Sequence, residues 1–160
     1  MDDVIFTLTL ISAIGSGLVA GWFFAFSNHI MKALGRLPDD QGIRAMQDIN
    51  IIVINPLAMG ALLGTALICI VASVLSVVDW KEPEVFYVLA GSGVYLVGTV
   101  LVTIAFNVPR NDALAAADPD TAAGTEVWRL YLTEWTRWNH VRTVAALAAA
   151  ALLTVAIGVG

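Results

Sequence analysis

The chain has 160 residues, of which 59% are hydrophobic and only 13% are charged, and its formal net charge is −5. Because about a quarter of the residues in a soluble domain are charged, this composition is typical of a membrane protein. The acidic balance and the lack of a run of Lys or Arg argue against a nucleic-acid partner. Cys69 is the single cysteine and lies in an apolar stretch, which excludes an intrachain disulfide.

Four apolar stretches with almost no charge are long enough to cross a lipid bilayer as helices, for which about 20 residues suffice. We predict spans at about 4–27, 51–78, 85–107 and 138–159, within a single integral membrane domain over 1–160. The first stretch is too long for a signal-peptide core and has no basic segment before it, so we interpret it as a retained span. The predicted fold class is all-α, a transmembrane antiparallel four-helix bundle with short interfacial helices in the cytoplasmic loops.

The connecting segments carry helix and turn signals. The stretch "LPDDQGIRAMQDIN" predicts a helix that starts at Pro38 and Asp39 and lies at the membrane interface. The short stretch "DWKEPE", with Pro83, predicts a tight turn between the second and third spans. After the third span, Pro109 predicts a break, and a helix should restart near Thr125 and continue into the fourth span.

The basic residues indicate the orientation. All but one of the eight lie in the two long connections or at their edges: Lys32, Arg36, Arg44, Arg110, Arg129, Arg137 and Arg142, with Lys81 as the exception. Because Lys and Arg in short loops mark the cytoplasmic side, we expect both long loops in the cytoplasm and both termini outside.

Small residues recur at the spacing that lets helix backbones approach closely in lipid. They are Ala13, Gly17 and Gly21 in the first span, Gly60 and Gly64 in the second, and Gly91, Gly93 and Gly98 in the third. We interpret them as packing positions inside the bundle. The same faces suit dimerisation, so the sequence is also compatible with a homo-oligomer or a larger membrane complex.

Amide and aromatic side chains are concentrated at the cytoplasmic ends of the spans. The candidate substrate-binding residues at this depth are Asn28, Asn50, Asn55, Asn107, Asn111, Trp128, Tyr131, Trp135 and Asn139. Since an unpaired amide is costly in hydrocarbon, these residues either tie down helix ends and loops or line a polar pocket. Pro56 and Pro109 predict backbone breaks at the same level, where such breaks are buried or line a cavity.

The segment "WTRWNHVR" continues a regular polar and aromatic pattern. Steps of three and four residues place on one helical face Trp128, Tyr131, Trp135, Trp138 and Arg142. Interfacial tryptophans are commonly membrane anchors, but a stripe that ends in Asn139 and Arg142 favours the wall of a site. A buried guanidinium needs an acceptor, for which Asp112 and Asp48 are the first candidates and asparagine carbonyls the next.

Several segments together carry a family resemblance. They are "GWFFAFSNHIMKAL", "AMQDIN" followed by "NPLAMG", "FNVPRNDALA" and "EWTRWNHVRT". The chain thereby resembles the anthrone-oxygenase-like family of small, mostly bacterial four-span membrane proteins. The resemblance implies a bacterial inner-membrane location and motif positions at Asn50, Asn107, Pro109, Asn111, Trp135, Asn139 and Arg142. The few characterised fungal members are similar to cofactor-free oxygenases that turn an anthrone into an anthraquinone.

An oxygenase of this kind needs a base and an oxyanion clamp. The candidate bases are His29 and His140, because imidazole titrates near neutrality. Arg142 is the candidate clamp for the enolate oxygen, with Asn139 and Asn107 beside it, and the tryptophans would stack on a flat lipophilic substrate that enters from the bilayer or the cytoplasm. We predict no cofactor and no metal site.

A second class of function fits the same residues. The chain could be a non-catalytic membrane protein, either an accessory subunit or a binder of a small lipophilic molecule. Neither histidine has metal-motif spacing. Two histidines from different helices could still ligate one haem, so the sequence does not exclude haem binding. In this alternative the Asn, Trp and Arg side chains form a structural polar network.

Overall fold

The structure is a computed structural model that describes residues 1–78, 80 and 84–160. Within these residues the chain is all-helical, as predicted. We label the helices α1 (Asp3–Leu34), α2 (Asp39–Ile52), α3 (Pro56–Val78), α4 (Glu84–Ala115) and α5 (Ala122–Val159). Helices α1, α3, α4 and α5 are each long and apolar enough to cross a membrane, and the chain is an integral membrane protein.

The four long helices form a bundle in which α1 and α4 each contact both α3 and α5. Helix α5 lies between α1 and α4 and presents to them Ala146, Ala149, Leu153 and Ala156, all buried. This spacing of three and four residues is that of one helical face. Helix α2 covers the end of the bundle that also carries the turns of 116–121, and we call this the loop end.

Helix α3 begins at Pro56, later than the predicted start of the second span at 51. The Asn55 side-chain carbonyl accepts the backbone N–H groups of Leu57 and Ala58, both at 3.0 Å. This is an N-cap, and proline suits the first helical position because its missing N–H would have no helical partner. Helix α2 begins at Asp39, as predicted, and its position at a membrane interface stays a prediction.

Helix α5 begins at Ala122, slightly before the predicted Thr125. The Thr121 hydroxyl caps it by accepting the Gly124 N–H at 3.0 Å. A Cβ at Gly124 would collide with the carbonyl of Asp118, so glycine lets the preceding turn pack onto the helix. The predicted turn that contains Lys81 and Pro83 lies outside the described residues.

The predicted break at Pro109 is wrong, because α4 continues through it to Ala115. A π-helical turn at Thr103–Asn107 comes just before the proline and changes the hydrogen-bond register where its nitrogen cannot donate. Arg110 Nη1 donates to the Phe106 carbonyl at 2.7 Å, which satisfies an acceptor in this turn. Helix α4 therefore stays helical through the proline, and polar residues on both sides of Pro109 belong to one helix.

Every long helix contains at least one π-helical turn. These turns are Phe26–Ile30 in α1, Gly60–Gly64 in α3, Leu96–Leu101 and Thr103–Asn107 in α4, and Tyr131–Trp135 in α5. A π turn inserts one residue into the helical register and is frequent at functional sites. The insertions shift which side chains point into the bundle near its loop end.

Only some of the predicted glycine contacts exist. A Cβ at Gly91 would lie 2.8 Å from Leu153 Cγ, and one at Gly98 would lie 2.5 Å from Ala145 Cβ. The packing prediction is confirmed at these two positions, where α4 approaches α5. It is wrong within this chain for the glycines that face open space: Gly17, Gly21, Gly60, Gly64 and Gly93.

We expect Gly91→Ala to destabilise the bundle, because the new Cβ would also lie 3.2 Å from the Ala149 carbonyl oxygen. Overpacking of this kind costs about 1–3 kcal/mol. Gly93→Ala is the matched control, which faces open space and should gain about 0.5–1 kcal/mol in helix propensity. Reversible unfolding in mixed detergents measures both, and equal stabilities would contradict the close approach of α4 and α5.

Candidate functional site

The loop end of the bundle encloses a cavity of about 280 Å³. All five helices and the α2–α3 link contribute to its wall: Trp22, Phe23, Phe26, Met46, Ile49, Asn50, Val53, Ile54, Met59, Leu62, Leu63, Thr103, Ile104, Val108, Asn111, Trp135 and Arg142. The wall is mostly apolar and aromatic, with a few polar side chains. This is the usual character of a small-molecule site.

Arg142 carries the only ionisable side chain in the described wall, and it is 6% exposed. Its Nε donates to Asn139 Oδ1 at 2.9 Å and its Nη1 donates to Thr103 Oγ1 at 3.3 Å. The guanidinium carbon lies 3.9 Å from the centroid of the Phe23 ring and 4.9 Å from that of Trp135. Two neutral acceptors and two aromatic faces thus surround the cation.

The prediction that Asp112 or Asp48 would pair with Arg142 is wrong. Among the described residues no carboxylate forms an ion pair with Arg142, and the other arginines that pair do so nearer the surface, as Arg44 does with Asp120. The asparagine carbonyl, the second predicted acceptor, is the one used. A buried cation without a counter-charge is unfavourable, so the adjacent cavity favours a ligand that presents an anionic or strongly accepting oxygen.

Asn139 is fully buried and lies behind Arg142, outside the cavity wall. Its Nδ2 donates to the Phe23 carbonyl at 2.8 Å and to Ser27 Oγ at 2.7 Å, while its Oδ1 accepts from Arg142. The Thr143 hydroxyl donates to the Asn139 carbonyl at 2.7 Å. The amide therefore joins α5 to α1 and orients the guanidinium.

A second polar cluster lies around Tyr131. Asn50 Nδ2 donates to the Tyr131 hydroxyl at 3.3 Å, and that hydroxyl donates to Asn111 Oδ1 at 2.8 Å. Both asparagines line the cavity. The cluster links α2, α4 and α5 and gives the wall a second group of polar atoms.

The predicted aromatic face is confirmed at three positions and changed at a fourth. The rings of Trp128, Tyr131 and Trp135 stack in sequence, with centroid distances of 5.8 and 5.4 Å. Trp138 leaves this face and stacks on Phe106, with centroids 3.6 Å apart. The π turn at Tyr131–Trp135 accounts for the change, since the inserted residue brings the amide of the next position, Asn139, to the inside.

The remaining candidate binding residues lie outside the cavity wall. Asn107 is fully buried and its Nδ2 donates to the Trp135 carbonyl at 3.2 Å, while its Oδ1 has no partner among the described residues. Trp128 is fully buried and packs close to Gly42, where a Cβ would lie 2.9 Å from its ring. Asn55 is the cap of α3, and Asn28 is exposed.

The two histidines take positions that do not support the predicted role of base. Both His29 and His140 are exposed, and neither lines the cavity. His140 follows the buried Asn139, and His29 follows the exposed Asn28. The described residues contain no group of three or more His, Cys, Asp or Glu side chains that could share a metal.

Sequence reasoning missed two residues that contact the guanidinium, Thr103 and Phe23. A signal for Thr103 was present, because polar residues recur every four positions along α4: Thr99, Thr103, Asn107 and Asn111. No comparable pattern marks Phe23 among the other apolar residues of α1.

The fold defines an integral membrane four-helix bundle with an internal cavity beside a buried arginine. Residues 54–152, more than half of the chain, match the family model described as anthrone oxygenase. The chain belongs to the anthrone oxygenase family. The match includes Arg142 and Asn111, whereas α1 and α2, which supply much of the cavity wall, precede it. No curated protein and no solved structure matches the chain.

We expect Asn139→Ala to destabilise the bundle, because it removes the acceptor of Arg142 Nε and the donor to the Phe23 carbonyl. Each buried polar group left unpaired costs about 1–3 kcal/mol. Asn28→Ala is the control, since Asn28 is exposed. Thermal unfolding in detergent measures the two variants, and a melting temperature for Asn139→Ala equal to that of the control would contradict the assigned hydrogen bonds.

Proposed function

We propose that this protein is a membrane oxygenase that oxidises a flat, lipophilic, acidic anthrone or phenol with O2. The observation that carries the proposal is Arg142, a buried cation without a described carboxylate partner at the wall of an apolar cavity. Family membership supports the same chemistry. Together they favour a substrate whose oxygen becomes negative during the reaction.

In this proposal the substrate carbonyl oxygen lies against the Arg142 guanidinium and its rings lie against Trp135 and Phe23. Loss of a proton from the ring CH2 opposite the carbonyl gives an enolate, which the cation stabilises. The electron-rich enolate passes one electron to O2, and the resulting radical and superoxide combine into a C–OO⁻ group, which takes up the released proton to give C–OOH. Loss of water leaves a second carbonyl, so one oxygen atom of O2 enters the quinone and the other leaves as water.

We assign the proton to water in the cavity. Among the described residues of the wall, no imidazole or carboxylate is present to accept it. Arg142 makes the step easier by stabilising the enolate, which raises the acidity of the bound C–H group. Trp135 lines the cavity, and its buried N–H has no partner among the described residues.

A non-catalytic binder of a lipophilic anion is the second candidate. The observation that favours it is the same lack of a described carboxylate or imidazole in the wall. The binder and the oxygenase would hold a ligand identically through Arg142, and they differ in turnover alone.

We further propose that the loop end faces the cytoplasm of a bacterial inner membrane and that both termini face outward. Seven of the eight Lys and Arg residues belong to this end or its two connections. The cavity would then lie near the cytoplasmic leaflet.

Replacement of Arg142 should remove the oxyanion clamp. We expect Arg142→Gln to lower kcat for anthrone by about 10²–10³, the usual effect of one lost oxyanion donor. Anthraquinone formation and O2 consumption by the protein in nanodiscs measure the rate. Arg137→Ala is the matched control, since Arg137 is an exposed arginine on the same helix. Undiminished turnover in a folded Arg142→Gln protein would exclude the clamp.

Replacement of the histidines tests the fate of the proton. Because both rings are exposed and outside the wall, we expect His29→Gln and His140→Gln to retain turnover within about twofold of wild type. The pH profile of kcat provides an independent measurement. A pH-dependent limb of kcat that disappears in either variant would identify that histidine as the base instead.

Reporter fusions test the orientation. We expect alkaline phosphatase fused after Gly160 to be active and green fluorescent protein at the same site to be dark. The same reporters inserted in the 116–121 turn should give the reverse pattern. An active phosphatase in that turn would place the loop end outside.

A further inference from the structure

The cavity reaches the outer surface of the bundle between α3 and α4. Four residues of its wall are also exposed on the outside of the protein: Ile54 at 72%, Leu63 at 51%, Ile104 at 58% and Val108 at 40%. A side chain that both lines a cavity and faces the exterior marks the rim of an opening. All four rim residues are apolar.

Helix packing explains why an opening exists at this place. Helices α3 and α4 pack against each other mainly through Thr65–Val78 and Glu84–Tyr95, away from the loop end. Nearer the loop end, Gly60–Gly64 packs against α1 and Thr103–Asn107 packs against α5. The two helices therefore follow different neighbours at the level of the cavity, which leaves a gap between them.

The gap lies at the depth of the membrane hydrocarbon. With a rise of about 1.5 Å per residue, Leu63 lies roughly 10 Å along α3 from its start, and Ile104 lies roughly 9 Å before Arg110 on α4. The next exposed side chains along the two helices, Leu67 and Leu101, are also apolar. The opening therefore faces lipid chains.

The direct route from the loop end is covered by α2. Ile43 and Met46 on this helix are at most 1% exposed and pack into the core around Trp128. Gln47 Nε2 donates to the carbonyls of Leu114 and Ala117, at 2.9 and 3.1 Å, which fastens α2 to the end of α4. Helix α2 therefore closes the side of the cavity that it covers.

We propose that the gap between α3 and α4 is a lateral portal through which a flat lipophilic molecule enters the cavity from the bilayer. Its apolar body passes the rim formed by Leu63 and Ile104, and its polar oxygen then meets Arg142. That the molecule is subsequently oxidised rests on the proposed function, whereas the portal does not. Substrate and product would both exchange with the membrane.

Thiol labelling tests the route without any turnover. Thr103→Cys in a Cys69→Ala background places one thiol in the cavity wall beside Arg142, whose charge favours the reactive thiolate. The full chain in nanodiscs is treated with a lipophilic pyrenyl maleimide or a membrane-impermeant sulfonated maleimide. The labelling rate of Ala116→Cys, which is exposed in the turn of the loop end, corrects for the different intrinsic reactivities of the two reagents. We expect the lipophilic reagent to label Thr103→Cys at least tenfold faster than the sulfonated one after normalisation.

Plugged variants, in which a tryptophan replaces a rim residue, test whether the reagent enters between the rim residues. We expect Leu63→Trp or Ile104→Trp to slow lipophilic labelling of Thr103→Cys at least tenfold. The matched controls Leu67→Trp and Leu101→Trp lie one turn along the same exposed faces, outside the cavity wall, and should label within twofold of the unplugged protein. Equal rates in plugged and control variants, faster labelling by the sulfonated reagent, or no labelling by either would overturn the portal. Normal labelling without anthrone turnover would instead count against the oxygenase alone.

Discussion

The burial of Arg142 without a carboxylate is the constraint around which the loop end is built. A charged side chain within a membrane span costs about 3 kcal/mol on insertion scales, so the surroundings must compensate. Asn139 and Thr103 accept hydrogen bonds from the guanidinium, and Phe23 and Trp135 present their ring faces. Asn139 can hold its carbonyl toward Arg142 because its N–H groups are used on α1. The same Asn139 side chain thus joins α1 to α5 and orients the guanidinium of Arg142.

The π turns make this arrangement geometrically possible. On a regular α-helix, residues four apart drift by about 40° around the axis, so a repeat of four would leave the inner face within a few turns. An inserted residue corrects the drift, and Thr103, Asn107 and Asn111 stay near the bundle interior along α4. The same correction on α5 keeps Asn139 inside and moves Trp138 out.

Polar side chains also satisfy the carbonyls that these turns leave available. The Tyr95 hydroxyl donates to the Leu62 carbonyl at 3.0 Å, and Thr103 Oγ1 donates to the Thr99 carbonyl at 2.7 Å. Asn107 does the same for the carbonyl of Trp135. In hydrocarbon an unpaired backbone carbonyl is expensive. Several polar side chains at this end of the bundle therefore make hydrogen bonds that stabilise the helices beside the cavity.

The sequence by itself determined the class of fold, because spans of about 20 apolar residues have few stable alternatives in a bilayer. It also located the polar end of the bundle and singled out Arg142, since an arginine at the start of an apolar span is rare enough to need a reason. It could not show that Asn139 holds Arg142 while His29 and His140 face outward, because helical periodicity assumes a constant number of residues per turn. The π turns, the continuation of α4 through Pro109 and the gap between α3 and α4 arise from contacts between helices. Tertiary structure alone decided which polar residues reach the cavity, since that choice depends on where each helix departs from regular geometry.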